Sequence, residues 1–157
     1  MIKRTRGFEV VVDEQRKVFT NSADVIMPKR GTQHSAGYDL FAVDDLEILP
    51  GEGKFFWTDV KVYMQHDEVF EIYPRSSFGI KKDLKIKNTV AIIDSDYYSN
   101  IGNDGNIGIC LWNFGDRTQH IKKGEAVAQG IFTKFLESDN CNTDEVRTGG
   151  TGSTDKK

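Results

Sequence analysis

Apolar and polar residues alternate along most of the chain with a period of two. The segments "FEVVVDE", "YDLFAV", "WTDVKVYM", "VFEIYP", "LKIKN", "IGICLW" and "AQGIFTKF" are short and rich in Val, Ile, Phe and Tyr, as half-buried β-strands are. Turn signals separate them: "PGEG" at 50–53, "NDG" at 103–105, "FGD" at 114–116 and "KKG" at 122–124. No stretch longer than about two turns carries a helical period. Many short strands with frequent turns predict an all-β antiparallel sandwich or barrel of jelly-roll kind. Residues 91–112, "AIIDSDYYSNIGNDGNIGICLW", read as a hairpin turning at "NDG", with Ala91, Ile92 and Ile93 a buried strand that runs straight into Asp94.

The alternation stops at Leu136. Residues 137–157 hold Val146 as their one large aliphatic residue, with glycines at 149, 150 and 152. Such a segment cannot bury enough surface to order itself alone. The chain therefore divides into a β core over residues 1–136 and a glycine-rich arm over 137–157. The arm reads either as a frayed end or as a clamp in which Arg147, freed backbone amides and two hydroxyls, Ser153 and Thr154, take phosphate oxygens.

Composition narrows the classes. The 157 residues, 38% of them hydrophobic, suit one domain with a substantial core. A net charge of −3 and a pI near 5.6 leave no basic footprint for nucleic acid. No run of 18 apolar residues is present, and "MIKRTRGFEV" lacks the apolar core of a signal peptide, so no membrane span is expected. Cys110 and Cys141 share no metal-type spacing, and His34, His66 and His120 are scattered. Neither a disulfide framework nor a zinc site is expected, and a cytoplasmic setting is.

Three stretches carry candidate chemistry. In "YPRSSFGIK" (73–81), Arg75, Ser76 and Ser77 suit an anionic, oxygen-rich ligand such as a di- or triphosphate, or simply a solvated helix cap. In "SAGYDL" (35–40), Gly37 permits a tight approach and Asp39 suits a hydrated metal ion, or the segment is a strand entering from a turn. In "IIDSDYYSN" (92–100), Asp94 and Asp96 follow an apolar run with nothing basic beside them; a buried unpaired charge costs several kcal/mol, so the chain turns to water here or uses the acid. A calcium loop would need further oxygen ligands and a closing glutamate, which this stretch lacks.

Their order along the chain is distinctive. "SAGYDL", "PRSSFGIK", "NTVAIIDSDYYSN", "IKKGEAVAQGIF" and "RTGGTGST" resemble, in sequence, the five ordered motifs of the trimeric dUTP diphosphatases (dUTPases), over about residues 35–154. The resemblance implies an all-β jelly roll in a homotrimer, with three sites between subunits and the arm exchanged to close a neighbour's site. It implies hydrolysis of dUTP to dUMP and pyrophosphate, limiting uracil in DNA and supplying dUMP. Asp94 would activate the water that attacks the α-phosphorus. Tyr97 would lie against the deoxyribose and leave no space for a 2′-hydroxyl. Asn88, Ile93 and the backbone near Gly108 would meet the uracil, rejecting the thymine methyl by sterics. Arg75, Ser76, Ser77 and Gln129 would hold the phosphate chain, and Asp39 would contact Mg²⁺ through water. From the arm, Arg147, Gly150, Ser153 and Thr154 would close over substrate. A bacterial or phage origin is expected on the same basis.

Three features depart from the family's commonest form. By a motif-anchored count, the stretch between Tyr97 and Trp112 is roughly six residues longer. The last motif is one residue shorter after Arg147, and Thr151 stands where a base-stacking phenylalanine is usual. Two alternative functions remain in view. A dCTP deaminase of the same fold also suits "RSS" but needs a glutamate base where this chain has "IIDSDYY". A nucleotide-dependent regulatory protein would use the longer loop to engage a protein partner.

Overall fold

The computed structural model describes residues 4–152. Its first strand, β1 (Gly7–Val10), is followed by two short 3₁₀ turns, and then by β2 (Lys29–Arg30), β3 (Tyr38–Phe41), β4 (Leu46–Ile48), β5 (Gly53–Trp57) and β6 (Val60–Tyr63). After these come β7 (Glu68–Pro74), a six-residue helix α1 (Ser76–Lys81), β8 (Leu84–Ile86), β9 (Ala91–Asp94), β10 (Gly108–Asn113), β11 (Gln119–Ile121) and β12 (Ala126–Lys134). All pairings are antiparallel. A five-stranded sheet, in the order β2-β3-β12-β7-β9, packs with a three-stranded one, β5-β10-β8, beside the pairs β1-β6 and β4-β11. Among the described residues the sheets form a sandwich and close no barrel.

Alternation puts one side of each strand into a single core. Phe70 and Ile72 from β7, Leu84 and Ile86 from β8, Ile109 and Leu111 from β10, Val60 and Val62 from β6 and Val127 from β12 are all buried in it. β12 registers across both β3 and β7, and its pairing with β3 slips at Val127, a bulge. After the slip Gln129 stands opposite Asp39 on one side and Tyr73 on the other. Gly130 is required there, since a Cβ would lie 1.9 Å from the ring of Phe70.

Two sequence expectations change. The stretch 91–112 is not a hairpin: β9 pairs with β7, whereas β10 pairs with β5 and β8 in the other sheet. The "NDG" signal does bend the chain, with Asp104 at φ 57 and Gly105 at φ 82, but inside a loop of turns that joins two sheets. Nor is "AII" uniformly buried. Ile93 faces the core, while Ile92 is 54% exposed on the same side of β9 as Asp94.

The polar interior is organised on Asp59, fully buried at a left-handed turn (φ 56) between β5 and β6. Its carboxylate accepts backbone N–H bonds from Lys17, Val18 and Phe19, each at 2.8 Å, and one from Asn106 Nδ2 at 2.9 Å. Its own N–H returns to Asn106 Oδ1 at 3.0 Å. Burial pushes the Asp59 carboxyl up, but the hydrogen bonds from Lys17, Phe19, Asn106 and Val18 outweigh it and hold the group below the ordinary aspartate range. Nearby, Lys61 Nζ and Asp104 Oδ2 form a buried ion pair at 2.8 Å, and Val12 donates its N–H to the same oxygen at 2.9 Å. The loop 98–107 is thereby tied to the N-terminal segment at two points.

Asp59→Ala should lower the unfolding free energy by roughly 3 kcal/mol or more, because several buried donors lose their acceptor at about 1–3 kcal/mol each. A depressed carboxyl contributes its full stabilisation above its ordinary pKa and loses it as pH falls through the folded value. The gap between wild type and Asp59→Ala in urea denaturation should therefore be complete at pH 7 and narrow below about pH 4. Equal stability at pH 7 would remove the carboxylate as an anchor.

Candidate active site

Strand β9 ends on Asp94, and a 3₁₀ turn over Ser95–Tyr97 follows. Asp94 is the residue that caps this turn, yet its side chain makes no capping hydrogen bond. The carboxylate, 54% exposed, points outward instead, on the side of β9 that Ile92 shares. Before β9 the chain passes through Thr89 at φ 65, a left-handed value that a β-branched residue adopts only under strain, of order 1–3 kcal/mol. The Asn88 carbonyl accepts from Val90 N–H at 2.8 Å and from Thr89 Oγ1 at 2.6 Å, which closes a γ-type turn. The strained turn brings Asn88 to the rim of the same cavity as Asp94.

That cavity, about 410 Å³, is lined by Asn88, Ile93, Asp94, Tyr97, Gly108 and Arg147 of the sequence-predicted residues. Gly108 sits on β10 opposite Trp57, and a Cβ there would come 2.4 Å from the Phe55 ring, so the wall of the cavity at this point is backbone. Tyr97 is buried, and its hydroxyl donates to the Asn106 carbonyl at 2.8 Å while accepting from Asn103 Nδ2 at 2.7 Å. Arg147 reaches in from the arm: Nη2 bonds Asp94 Oδ2 and Nε bonds Asp96 Oδ1, both at 2.8 Å. Its side chain is only 12% exposed, and its guanidinium lies 5.8 Å from the centre of the Tyr97 ring. One arginine thus compensates two neighbouring carboxylates. One positive charge against two leaves this group net negative, and the guanidinium is the part of it for which phosphate oxygens can compete.

The remaining predicted residues form a second cluster. Arg75 Nε pairs with Asp39 Oδ1 at 3.2 Å, and Arg75 Nη1 donates to the Ala126 carbonyl at 3.4 Å. Gln129 Nε2 donates to the Pro74 carbonyl at 3.3 Å, and its side chain backs against Gly37, where a Cβ would be 2.5 Å from Oε1. Ser76 and Ser77 are exposed in the first turn of α1. None of these residues lines the Asp94 cavity. Gly150 lies outside the lining as well but rests on the loop, where its Cβ would be 3.0 Å from Asn103 Nδ2. Ser153 and Thr154 lie outside the described residues.

Among the described residues no three His, Cys, Asp or Glu side chains converge as a metal cage. Asp39 offers one carboxylate already neutralised by Arg75, a donor set that fits a cation arriving on a phosphate ligand and not a resident one.

Several lining residues escaped the sequence reading: Phe55, Lys87, Ala91 and Cys110. Phe55 and Cys110 pair across β5 and β10, and the alternation in "GKFFW" is the signal that places Phe55 outward. Tyr98, next to Tyr97, turns away from the cavity. Its hydroxyl bonds Glu9, and its ring stands 6.0 Å from that of Tyr63, so it provides no stacking face for a ligand. Thr151 and Gly152 do line the cavity.

The model of the dUTPase family matches residues 23–155. The deoxyuridine 5'-triphosphate nucleotidohydrolase of Lactococcus lactis is 44% identical over 96% of this chain and 98% of its own. The crystal structure of dUTPase from Streptococcus mutans superposes with a TM-score of 0.73 at 41% identity, over 85% of this chain and 99% of that one. The dUTPase of Staphylococcus bacteriophage 80alpha has the same fold, with a TM-score of 0.67 at 21% identity over 90% and 97% of the two chains.

Proposed function

The chain belongs to the dUTPase family, and we propose that the Asp94 cavity is where it cleaves its nucleotide. It hydrolyses dUTP to dUMP and pyrophosphate. The observation that carries the placement is the joining, in one cavity, of a half-exposed carboxylate, an arginine from the arm, a buried tyrosine and a backbone wall at Gly108. Asp94 accepts a proton from water as the water oxygen bonds the α-phosphorus. The α–β anhydride bond breaks in line, and pyrophosphate leaves. Little covalent chemistry is asked of the protein, so positioning and charge neutralisation supply most of the acceleration. Arg147, now over Asp94 and Asp96, shifts toward phosphate oxygens and leaves Asp94 free to act as base.

Uracil enters against Gly108, Ile93 and Asn88, and Tyr97 lies against the sugar. Arg75, Ser76, Ser77 and Gln129 hold the phosphate chain, and Asp39 would help to hold a Mg²⁺ ion arriving with it, which would supply neutralisation of the triphosphate charge. Because that cluster does not line the Asp94 cavity, a homotrimer is the arrangement that completes the site, with one subunit's Arg75 cluster facing a neighbour's Asp94. Identical subunits carry identical cavities, so the arm over 137–157 has the same seat to offer within a chain or across to a neighbour. Exchange of the arm, with Gly150, Ser153 and Thr154 closing over substrate, follows the second route. A dCTP deaminase would need a glutamate at the base, and no glutamate lines this cavity. No helix among the described residues is long and apolar enough to cross a membrane. The enzyme would act on the cytoplasmic nucleotide pool and limit uracil in DNA.

Pyrophosphate release from dUTP, with dCTP, dTTP and UTP alongside, tests the assignment: dUTP should be strongly preferred, and comparable turnover of dCTP would overturn it. Asp94→Asn should retain binding of a non-hydrolysable dUTP analogue while kcat falls on the order of 10²-fold or more. Turnover within a few-fold of wild type would remove Asp94 from the chemistry. Tyr97→Ala should open space beside the sugar and narrow the preference for dUTP over UTP, read as the ratio of kcat/KM values. An unchanged ratio would deny Tyr97 that role.

A further inference from the structure

The loop 98–107 supplies both hydrogen bonds of the Tyr97 hydroxyl, one from the backbone at Asn106 and one from the side chain of Asn103. We propose that Asn103 is a positioning residue for substrate selection, holding the Tyr97 phenol in the orientation that excludes a 2′-hydroxyl. This rests on the reading of Tyr97 as the residue beside the sugar.

Asn103 is buried, and its amide has only one consistent orientation. Its Oδ1 accepts from Asn100 Nδ2 at 2.7 Å and from Gly105 N–H at 3.1 Å, so its Nδ2 is the group turned to Tyr97. Asn100 in turn holds the other end of the bracket. Its Nδ2 reaches the Tyr97 carbonyl at 2.7 Å, and its Oδ1 accepts the N–H groups of Gly102 and Asn103 at 3.0 and 3.1 Å. Gly105, at φ 82, closes against the same tyrosine: a Cβ there would be 2.9 Å from the Tyr97 carbonyl oxygen. The bracket does not float. Asp104 is fixed to Lys61 and to Val12 N–H, and Asn106 to Asp59, so both sides of Asn103 are anchored in the core. A phenol whose hydroxyl accepts one bond and donates another, to two partners fixed in the loop, is restricted in its tilt. Discrimination between a hydrogen and a hydroxyl at C2′ depends on that restriction, because the clash is relieved by a small displacement of the ring.

Asn103 also touches the arm, through the approach of its Nδ2 to Gly150. A double-mutant cycle separates the two routes, since the arm contact persists when only the phenol hydroxyl is removed. The measurement is the ratio of kcat/KM for dUTP to that for UTP in the full chain, for wild type, Asn103→Ala, Tyr97→Phe and the double variant. Asn103→Ala should lower the ratio by roughly 3- to 10-fold, the effect of one neutral hydrogen bond, and Tyr97→Phe, which also loses the bond to the Asn106 carbonyl, by at least as much. The double variant should fall no further than the larger single effect. A ratio unchanged in Asn103→Ala, or effects that multiply in the double variant, would overturn the inference. Should Asn103→Ala fail to fold, Tyr97→Phe removes the same bond together with the one to the Asn106 carbonyl, and an unchanged ratio there overturns it equally. The parent reading fails separately: if Tyr97→Ala leaves the ratio intact, Tyr97 is not beside the sugar. A Tyr97→Ala effect without an Asn103→Ala effect removes only the positioning role.

Discussion

Burying the carboxylate of Asp59 is unfavourable by several kcal/mol, and the molecule recovers this by giving it four donors at 2.8–2.9 Å. Charge-assisted bonds of this kind contribute about 1.5–3 kcal/mol each, and together they outweigh burial and hold the carboxyl below its ordinary range. Geometry follows from that balance. The N-terminal residues 17–19, the β5–β6 turn and Asn106 are held to one point, and Asn106 carries the constraint to the hydroxyl of Tyr97. The wall of the cavity is therefore fixed from the side away from solvent. Ile107, fully buried, fixes the end of the loop 98–107 through backbone bonds with Thr58 and Val60, and this anchor and the Lys61–Asp104 pair hold its polar middle against β6.

The charges that face solvent follow a different rule. Asp94 and Asp96 stand two residues apart, and a triphosphate brings several negative charges to the same place. Coulomb repulsion at such distances costs about 1 kcal/mol per pair in water and several where water is excluded. Arg147 is shared by Asp94 and Asp96, and Arg75 pairs with Asp39, so two cations stand over three carboxylates and each can be taken over by a phosphate oxygen. The Arg147 bridge can be given up to a phosphate oxygen without a large motion. It also explains why the arm needs almost no apolar residues: its attachment is electrostatic, through Arg147, and close-packed, through Gly150 on Asn103.

Much of this was legible in the chain itself. The period of two gave β3, β7, β8, β10 and β12 close to their observed limits, because alternation across a half-buried sheet is a local property. Motif order pointed to Asn88, Ile93, Asp94, Tyr97, Gly108 and Arg147, which the structure brings to one cavity, and missed Phe55, Lys87, Ala91 and Cys110. What failed was non-local. The positive φ values of Asp104 and Gly105 are what "NDG" implies, yet whether such a turn closes a hairpin depends on which strands lie beside β9 and β10, and those are β7, β5 and β8. Short strands such as β2, β4 and β11 carry too few residues for a period to emerge. Asn100, Asn103 and Asn106 read as ordinary loop polarity, since their value lies in partners that only the folded chain brings near.

The spacing of those three asparagines shows how a loop becomes part of a site. Each solves a local problem first: Asn100 supplies an acceptor for the N–H groups of Gly102 and Asn103, Asn103 one for Gly105, and Asn106 one for Asp59. Each has a second polar atom left, and burial compels that atom to find a partner as well. For Asn100 it is the Tyr97 carbonyl, for Asn103 the Tyr97 hydroxyl, and for Asn106 the Asp59 carboxylate. Two of the three leftover groups thus converge on one tyrosine, and the third ties the loop to the core that the tyrosine packs against. Rigidity at Tyr97 is a by-product of satisfying buried amides in a long connection. The hydrogen bonds that satisfy the buried amides of this loop are thus the same ones that hold the Tyr97 hydroxyl and carbonyl.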